Sequence, residues 1–279
     1  MITVEEFADQ YRTTYYPSGM EAIEFYQQYQ EYRSFNPDTD RSTAGNALDM
    51  PPGRIRAWDN GSKPDPVRGL EFAQERGWFD PDLETMRGLS VLVAWVFSAG
   101  SINEKHRSVM FTVGDESEEQ RLREAADTVG IELRISREGG EGRAREYSPS
   151  EGGTIMGRFL AALGAPIGSK AEVVGLRPPD WLDEVPQPVV RDWVLTYLLN
   201  RGQWRETGVI TLREERSTQY LDALAGLFEK VIGEPVRRND KNIVLSVPAR
   251  EVVDTWSGPL DEYEEVLYRG GDNDESENS

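Results

Sequence analysis

Cysteine is absent from the 279-residue chain, and histidine occurs once, at His106. Without thiols there can be no disulfide framework, no thiol nucleophile and no cysteine-ligated zinc or iron–sulfur centre. A lone histidine removes multi-histidine metal sites, and any Ser-His-Asp arrangement would rest on His106 alone. Its setting, Glu104-Lys105-His106-Arg107, reads instead as surface at the start of a strand. Long apolar runs are also missing. The longest, Leu89 to Ala99, is too short to cross a bilayer, and the opening MITVEEFADQ is acidic where a signal peptide would be basic. These features predict a cytoplasmic protein with no membrane partner. Lysine is scarce as well: Lys63, Lys105, Lys170, Lys230 and Lys241 stand against 26 arginines, while 50 acidic residues bring the net charge to −19.

What remains is ample material for a core. Hydrophobic residues make up 38% of the chain, with seven Trp, nine Phe and eleven Tyr, which argues against wholesale disorder. A strongly negative chain would ordinarily repel a phosphate backbone, because lysine and arginine supply most of the affinity for it. Here the carboxylates are dispersed and the bases are mostly arginine, a balance suited to a halophilic, molar-salt cytoplasm. At about 1 M salt the Debye length is roughly 3 Å, so diffuse repulsion is screened and close arginine contacts decide binding. The alternative is an acidic mesophilic protein with no nucleic-acid role.

Composition divides the chain into a helical segment (1–84), an α/β-patterned segment (85–258) and an acidic tail (259–279). The last ten residues, GGDNDESENS, carry four acids and no hydrophobe and are expected to be disordered. Within the first segment, Gly19 to Ser34 has helical spacing of Met20, Ile23, Tyr26, Tyr29 and Tyr32, followed by a loop, FNPDTD. In Ser42 to Trp58 the apolar positions Ala44, Leu48, Met50, Ile55 and Trp58 recur as in two short packed helices. Gly45 falls at a close crossing, Pro51-Pro52 restarts the second helix, and Gly61 closes it. This unit resembles a helix-turn-helix, whose second helix meets base edges in the major groove. Pro52 and Gly53 would form its tip, with Arg54 and Arg56 facing outward. From Arg41 to Leu70 five basic residues oppose three aspartates, a local excess of +2.

Two later segments look like copies of one design. Gly88 to Ile102 and Val189 to Trp204 are each an apolar helix ending at a glycine, Gly100 or Gly202, in the manner of a left-handed helix cap. After Gly100 come a strand (Arg107–Val113), a helix (Glu118–Val129) and two strands (Glu132–Arg137, Arg143–Tyr147). After Gly202 come Gly208–Arg213, a helix (Thr218–Ile232), Val236–Arg238 and Asn242–Val247. A helix apolar on nearly every side is best explained by burial against its twin.

Here the chain resembles the LAGLIDADG family, the fold of homing endonucleases and of regulators derived from them. The segment Gly157 to Gly168 is similar to the helix and Gly-Pro turn preceding that family's second motif, and Trp181 to Pro186 to its lead-in. The likeness spans roughly residues 86–258. It implies an α+β fold: an all-α helix-turn-helix domain, then a pseudo-two-fold pair of αββαββα repeats whose sheets form a saddle over double-stranded DNA. Fusion to a helix-turn-helix is similar to bacterial sporulation-type regulators with module order reversed, and to haloarchaeal forms. Family nucleases place an acid just before each motif glycine to hold hard cations. Here those positions are Ala99 and Arg201, and the nearest acids, Glu104, Asp192 and Glu206, lie on other faces or outside the helix.

The resemblance therefore predicts sequence-specific DNA binding in transcription regulation, with no catalytic residue, metal or cofactor and with other transcription proteins as further partners. Strand-borne candidates for DNA contact are Arg107, Arg134, Arg137, Arg143, Arg145, Arg205, Arg213, Arg237 and Arg238, with Lys241 nearby. Alternation puts about half on one sheet face. Each arginine alone could equally be paired to a neighbouring acid, as Arg213 could be with Glu214 or Glu215. A surviving nuclease or RNA-processing enzyme, and a scaffold binding a partner protein, are the alternative readings. Gly164 to Ala171 looks faintly like a phosphate loop but has Ser before Lys and a helix on the wrong side. Asn60-Gly61-Ser62 reads as a turn, and close carboxylate pairs are expected by chance among 50 acids.

Overall fold

The structure, a computed structural model, describes residues 2–140 and 143–256. The acidic tail and the last two residues of the 85–258 segment lie outside the described residues. Contacts divide the chain into two compact units, with the break after Asp80. No helix among the described residues is long and apolar enough to cross a membrane.

The first unit is all helical: α1 (Val4–Ala8), α2 (Gly19–Phe35), α3 (Arg41–Ala47), α4 (Pro52–Asp59) and α5 (Asp65–Glu75). Each start carries its own signal. Thr3, Ser18 and Asp40 accept backbone N–H groups that a helix leaves unpaired, and Pro52 occupies a first-turn position of α4 that needs no N–H. Ala8, Ile23, Tyr26, Tyr29, Ala44, Met50, Ile55, Trp58, Val67 and Leu70 form one core. Four residues, 48–51, link α3 to α4. Asp49 takes a left-handed conformation (φ 52°), and the Met50 N–H reaches back to the Gly45 carbonyl at 2.7 Å, so the end of α3 is wound into a Schellman turn. Gly45 is required there, since a Cβ would sit 2.6 Å from the Met50 carbonyl oxygen.

The second unit is a mixed α+β body in which one design occurs twice. The first copy runs α6 (Leu83–Ser98), β1 (Gly100–Ile102), β2 (Val109–Val113), α7 (Glu116–Thr128), β3 (Leu133–Arg137), β4 (Arg145–Pro149), α8 (Gly153–Ala162). The second runs α9 (Gln187–Arg201), β5 (Gly202–Trp204), β6 (Ile210–Arg213), α10 (Thr218–Ile232), β7 (Val236–Asn239), β8 (Asn242–Leu245), α11 (Val247–Asp254). Both four-stranded sheets are antiparallel, with orders β1-β2-β4-β3 and β5-β6-β8-β7. Even the register repeats: Gly100 faces Phe111, which faces Tyr147, and Gly202 faces Leu212, which faces Ile243. This is the αββαββα order that the family resemblance implied.

Helices α6 and α9 pack in parallel. Near their N-terminal ends Arg87 pairs with Asp192 at 2.6 Å and Ser90 donates to the Val189 carbonyl at 2.8 Å; near their C-terminal ends Asn200 donates to Ser98 at 2.8 Å. From Leu89 to Phe97 every residue of α6 is buried, as the all-round apolar pattern required. The glycines ending these helices act differently from expectation. Neither adopts a left-handed cap; Gly202 is extended (φ −74°, ψ 142°), and both helices run straight into a strand. Glycine is needed for space: a Cβ at Gly202 would meet the Leu198 carbonyl oxygen at 2.4 Å, and one at Gly100 would meet the Met110 carbonyl oxygen at 2.8 Å.

Candidate nucleic-acid interface

In the first unit, ion pairs account for much of the local positive excess. Asp59 accepts from Arg33 and from Arg41, at 2.9 and 3.0 Å, and from the Tyr29 hydroxyl at 2.9 Å. Burial alone would raise its pKa, but Arg41, Tyr29 and Arg33 together lower it. Lys63 pairs with Glu71 at 2.7 Å and Arg68 with Asp65. Among the described residues Arg54 and Arg56 have no acid partner. Arg56 is exposed beside Pro52 and Gly53. Arg54 is steadied by two rings, its guanidinium 4.6 Å from the Tyr15 ring centre and 4.7 Å from that of Tyr16. The helix tip therefore presents one exposed and one aromatic-braced guanidinium.

In the second unit the register sorts the remaining candidates. Directly opposed residues share a face, and the face of Phe111, Tyr147, Leu212 and Ile243 is the buried, helix-covered one. Arg145 faces buried Val113 and pairs with Glu119 of α7 at 2.8 Å. Arg238 faces buried Ile243 and pairs with Asp222 of α10 at 2.9 Å. These two belong to the covered side. On the open face of the first sheet Arg134 opposes Ser148, while Arg137 opposes Glu146 and pairs with it. A β-bulge between Ile135 and Arg137 returns Arg137 to the face of Arg134. On the open face of the second sheet Arg237, Val244, Thr211 and Gln203 lie across one row, and Arg213 opposes Asn242. Arg205, just past β5, bonds the side chains of Gln203 and Thr211 and so joins that face.

The other three candidates are in turns. Arg107, expected in a strand, precedes β2 in a left-handed conformation (φ 59°) and donates to the Glu104 carbonyl at 2.6 Å. Arg143 is exposed outside β4, in an isolated bridge with Gly140. Lys241, in the β7–β8 turn, pairs with Glu215, which also takes Arg213 at 3.4 Å. His106 is exposed in the turn before β2.

No family model matches this chain, and no curated protein matches it. Solved structures do. Full-length DUF199/WhiA from Thermotoga maritima is 13% identical with a TM-score of 0.41 over 68% of this chain and 62% of that one. The N-terminal LAGLIDADG domain of DUF199/WhiA is 9% identical, TM-score 0.40, over 66% and 91%. I-DmoI in complex with DNA and Mn is 10% identical, TM-score 0.41, over 63% and 98%. This chain thus spans 62% of the length of the full-length WhiA it matches. Identities this low transfer no residue roles.

At the joined C-terminal ends of α6 and α9 the structure gathers Tyr197, Glu214 and Arg216 around Arg201, partners that spacing in the sequence does not reveal. Ala99 follows α6 and has no side chain to ligate a cation. Arg201 ends α9 and donates to Glu214 at 3.0 Å. Glu214 is 2% exposed and also accepts from the Tyr197 hydroxyl at 2.8 Å, with Arg216 at 3.3 Å. This carboxylate is fully engaged by protein donors. Among the described residues no group of three or more Asp, Glu or His stands close enough to hold a metal ion. Asp192 faces the twin helix: Arg87 and Arg121 hold it at 2.6 and 3.1 Å in the helix interface.

Proposed function

We propose that the protein binds double-stranded DNA, in a sequence-specific and regulatory role, and holds the duplex without cutting it. One observation carries the reading. The parallel helices meet at Ser98 and Asn200 and run directly into β1 and β5, so two sheets start from neighbouring points, and their uncovered faces carry Arg134, Arg137, Arg205, Arg213 and Arg237. Against these stand Glu146 on the face itself and, in the adjoining turns, Glu206, Glu215 and Asp240. In a chain of net charge −19 such a surface is a concentrated exception. Arginine on a β-ribbon can bond guanine O6 and N7, each good pair discriminating by about 1–3 kcal/mol.

The helix pair α3–α4 supports a second contact. With a four-residue link and an exposed N-terminal tip, α4 has the form of a helix that enters a major groove, reading through Arg54 and Arg56. Residues 1–84 and 85–258 would then be two DNA-binding domains on one chain, and tethering makes the second contact intramolecular. The proposed absence of cleavage rests on Ala99 and on the Arg201–Glu214 pair, which among the described residues leave no free carboxylate at the motif positions of the two helix ends. An electrophoretic shift of genomic fragments in molar KCl tests the reading: retained, uncut duplex is expected, and no retained duplex would overturn it.

A further inference from the structure

The connection from α1 to α2 carries two adjacent tyrosines, Tyr15 and Tyr16, ahead of Pro17. Pro17 disfavours helical backbone at Tyr16, and the Thr13 hydroxyl donates to the Tyr16 carbonyl. Tyr16 is also anchored by packing: its ring lies 5.8 Å from that of Phe25 in α2 and rests against the core of the first unit. Tyr15 has no such cover and is 77% exposed. Both rings lie under the guanidinium of Arg54, the third residue of α4, at 4.6 and 4.7 Å.

A ring face attracts a guanidinium through its charge and uses none of its N–H groups. Among the described residues Arg54 makes no hydrogen bond and no ion pair, so its five donors are uncommitted. Other arginines over rings are different. Arg33, Arg76, Arg123, Arg216 and Arg250 each donate as well to a carboxylate or carbonyl oxygen. Arg191 lies over Trp256 only, with its Nε buried. Arg54 combines two rings with a full set of unused donors. Fastening the loop does not explain this, because Phe25 and Thr13 already hold Tyr16, and Tyr15 is too exposed to add to a core. Preparing the cation for a partner does. A side chain ordered beforehand loses less freedom on binding, and the first turn of α4 is where a helix-turn-helix meets base edges.

We propose that Tyr15 and Tyr16 are positioning residues that pre-order Arg54 for a guanine edge, so that base discrimination at that position depends on the exposed Tyr15 ring. The proposal rests on the reading of α4 as a helix that enters a major groove. Its test is Tyr15→Leu in the full chain, in molar KCl. Binding selection on randomised duplexes, with the unaltered protein and with Arg54→Ala, first marks the guanine at which preference relaxes. Affinity is then measured for that duplex and for one carrying adenine there. Tyr15→Leu should reduce the preference for guanine about three- to tenfold. Affinity for unrelated duplex and the thermal midpoint of the free protein should not change. Tyr15→Phe, which keeps the ring face, should keep the preference. In the Arg54→Ala protein, Tyr15→Leu should have no further effect on it.

Three results overturn the proposal and leave the major-groove reading in place. Tyr15→Leu could keep the full preference. It could lower the melting midpoint and weaken every duplex alike, as loss of a structural contact would. Or it could act as strongly with Arg54→Ala as without it, as a separate contact of Tyr15 with DNA would. An Arg54→Ala protein that relaxes no position removes the major-groove reading and this proposal together, and an unaltered protein that retains no duplex removes DNA binding as well.

Discussion

Replacing Asp192 by alanine should be among the most damaging single changes in the second unit. Its carboxylate is 3% exposed in the α6–α9 interface and holds Arg87 at 2.6 Å and Arg121 at 3.1 Å, residues that are themselves 7% and 9% exposed. Removing it takes the carboxylate away from two buried guanidinium groups; Arg121 keeps a bond to Thr196 at 3.1 Å. Breaking a buried pair in this way costs about 3–5 kcal/mol. For a unit of about 200 residues, where 1 kcal/mol shifts the melting midpoint by about 2–4 °C, the expected fall is about 6–20 °C. Circular dichroism melts of the full chain in molar KCl read this directly, and salt should hide little of it because the pair is shielded from solvent. Replacing the trio with Asp192→Leu, Arg87→Met and Arg121→Met should recover most of the loss. A single Asp192→Ala variant that melts within about 3 °C of the unaltered protein would refute the claim that this network pins the twin helices.

Open-face substitutions separate binding from stability: Arg134→Ala, Arg213→Ala and Arg237→Ala should each weaken duplex binding and flatten the salt slope by about 0.9, whereas Arg145→Ala and Arg238→Ala should leave binding unchanged; titrations across KCl check both sets. Arg54→Ala with Arg56→Ala should relax base preference at adjacent positions by about 1–3 kcal/mol per lost contact, read by binding selection on randomised duplexes. Gly202→Ala forces a Cβ against the Leu198 carbonyl oxygen and should destabilise the second unit by about 1–3 kcal/mol, measured by denaturant unfolding. Lys170 also sets a pH dependence. Its folded pKa is about 7 and its unfolded value about 10.4, so between these the unfolded chain binds more protons. Relative to Lys170→Met, the unaltered protein should gain stability as pH rises from about 7 and lose it as pH falls back through 7; Arg216, Arg201 and Glu214 are the charged groups that face it.

The twin helices were legible because Leu89 to Phe97 is apolar on every side, a pattern that only burial on every side explains. Strands and the amphipathic helices α7 and α10 followed from alternation and helical spacing. Which arginines face outward was not legible. Alternation alone puts Arg134 and Arg137, three positions apart, on opposite faces; the bulge between Ile135 and Arg137 reverses that. Arg145 and Arg238 look like surface strand residues until the register pairs them with Val113 and Ile243. The glycines at 100 and 202 were located by sequence but given a conformational reason where the fold supplies a steric one.

Footprinting of the full chain on a retained genomic duplex, in molar KCl with Mg²⁺ present, tests the central claim most directly. Protection with both strands intact, lost when Arg134, Arg137, Arg205, Arg213 and Arg237 are changed together to alanine in a protein that still melts cooperatively, is the predicted result. Strand cleavage at the protected site, or protection that survives the fivefold change, would contradict it.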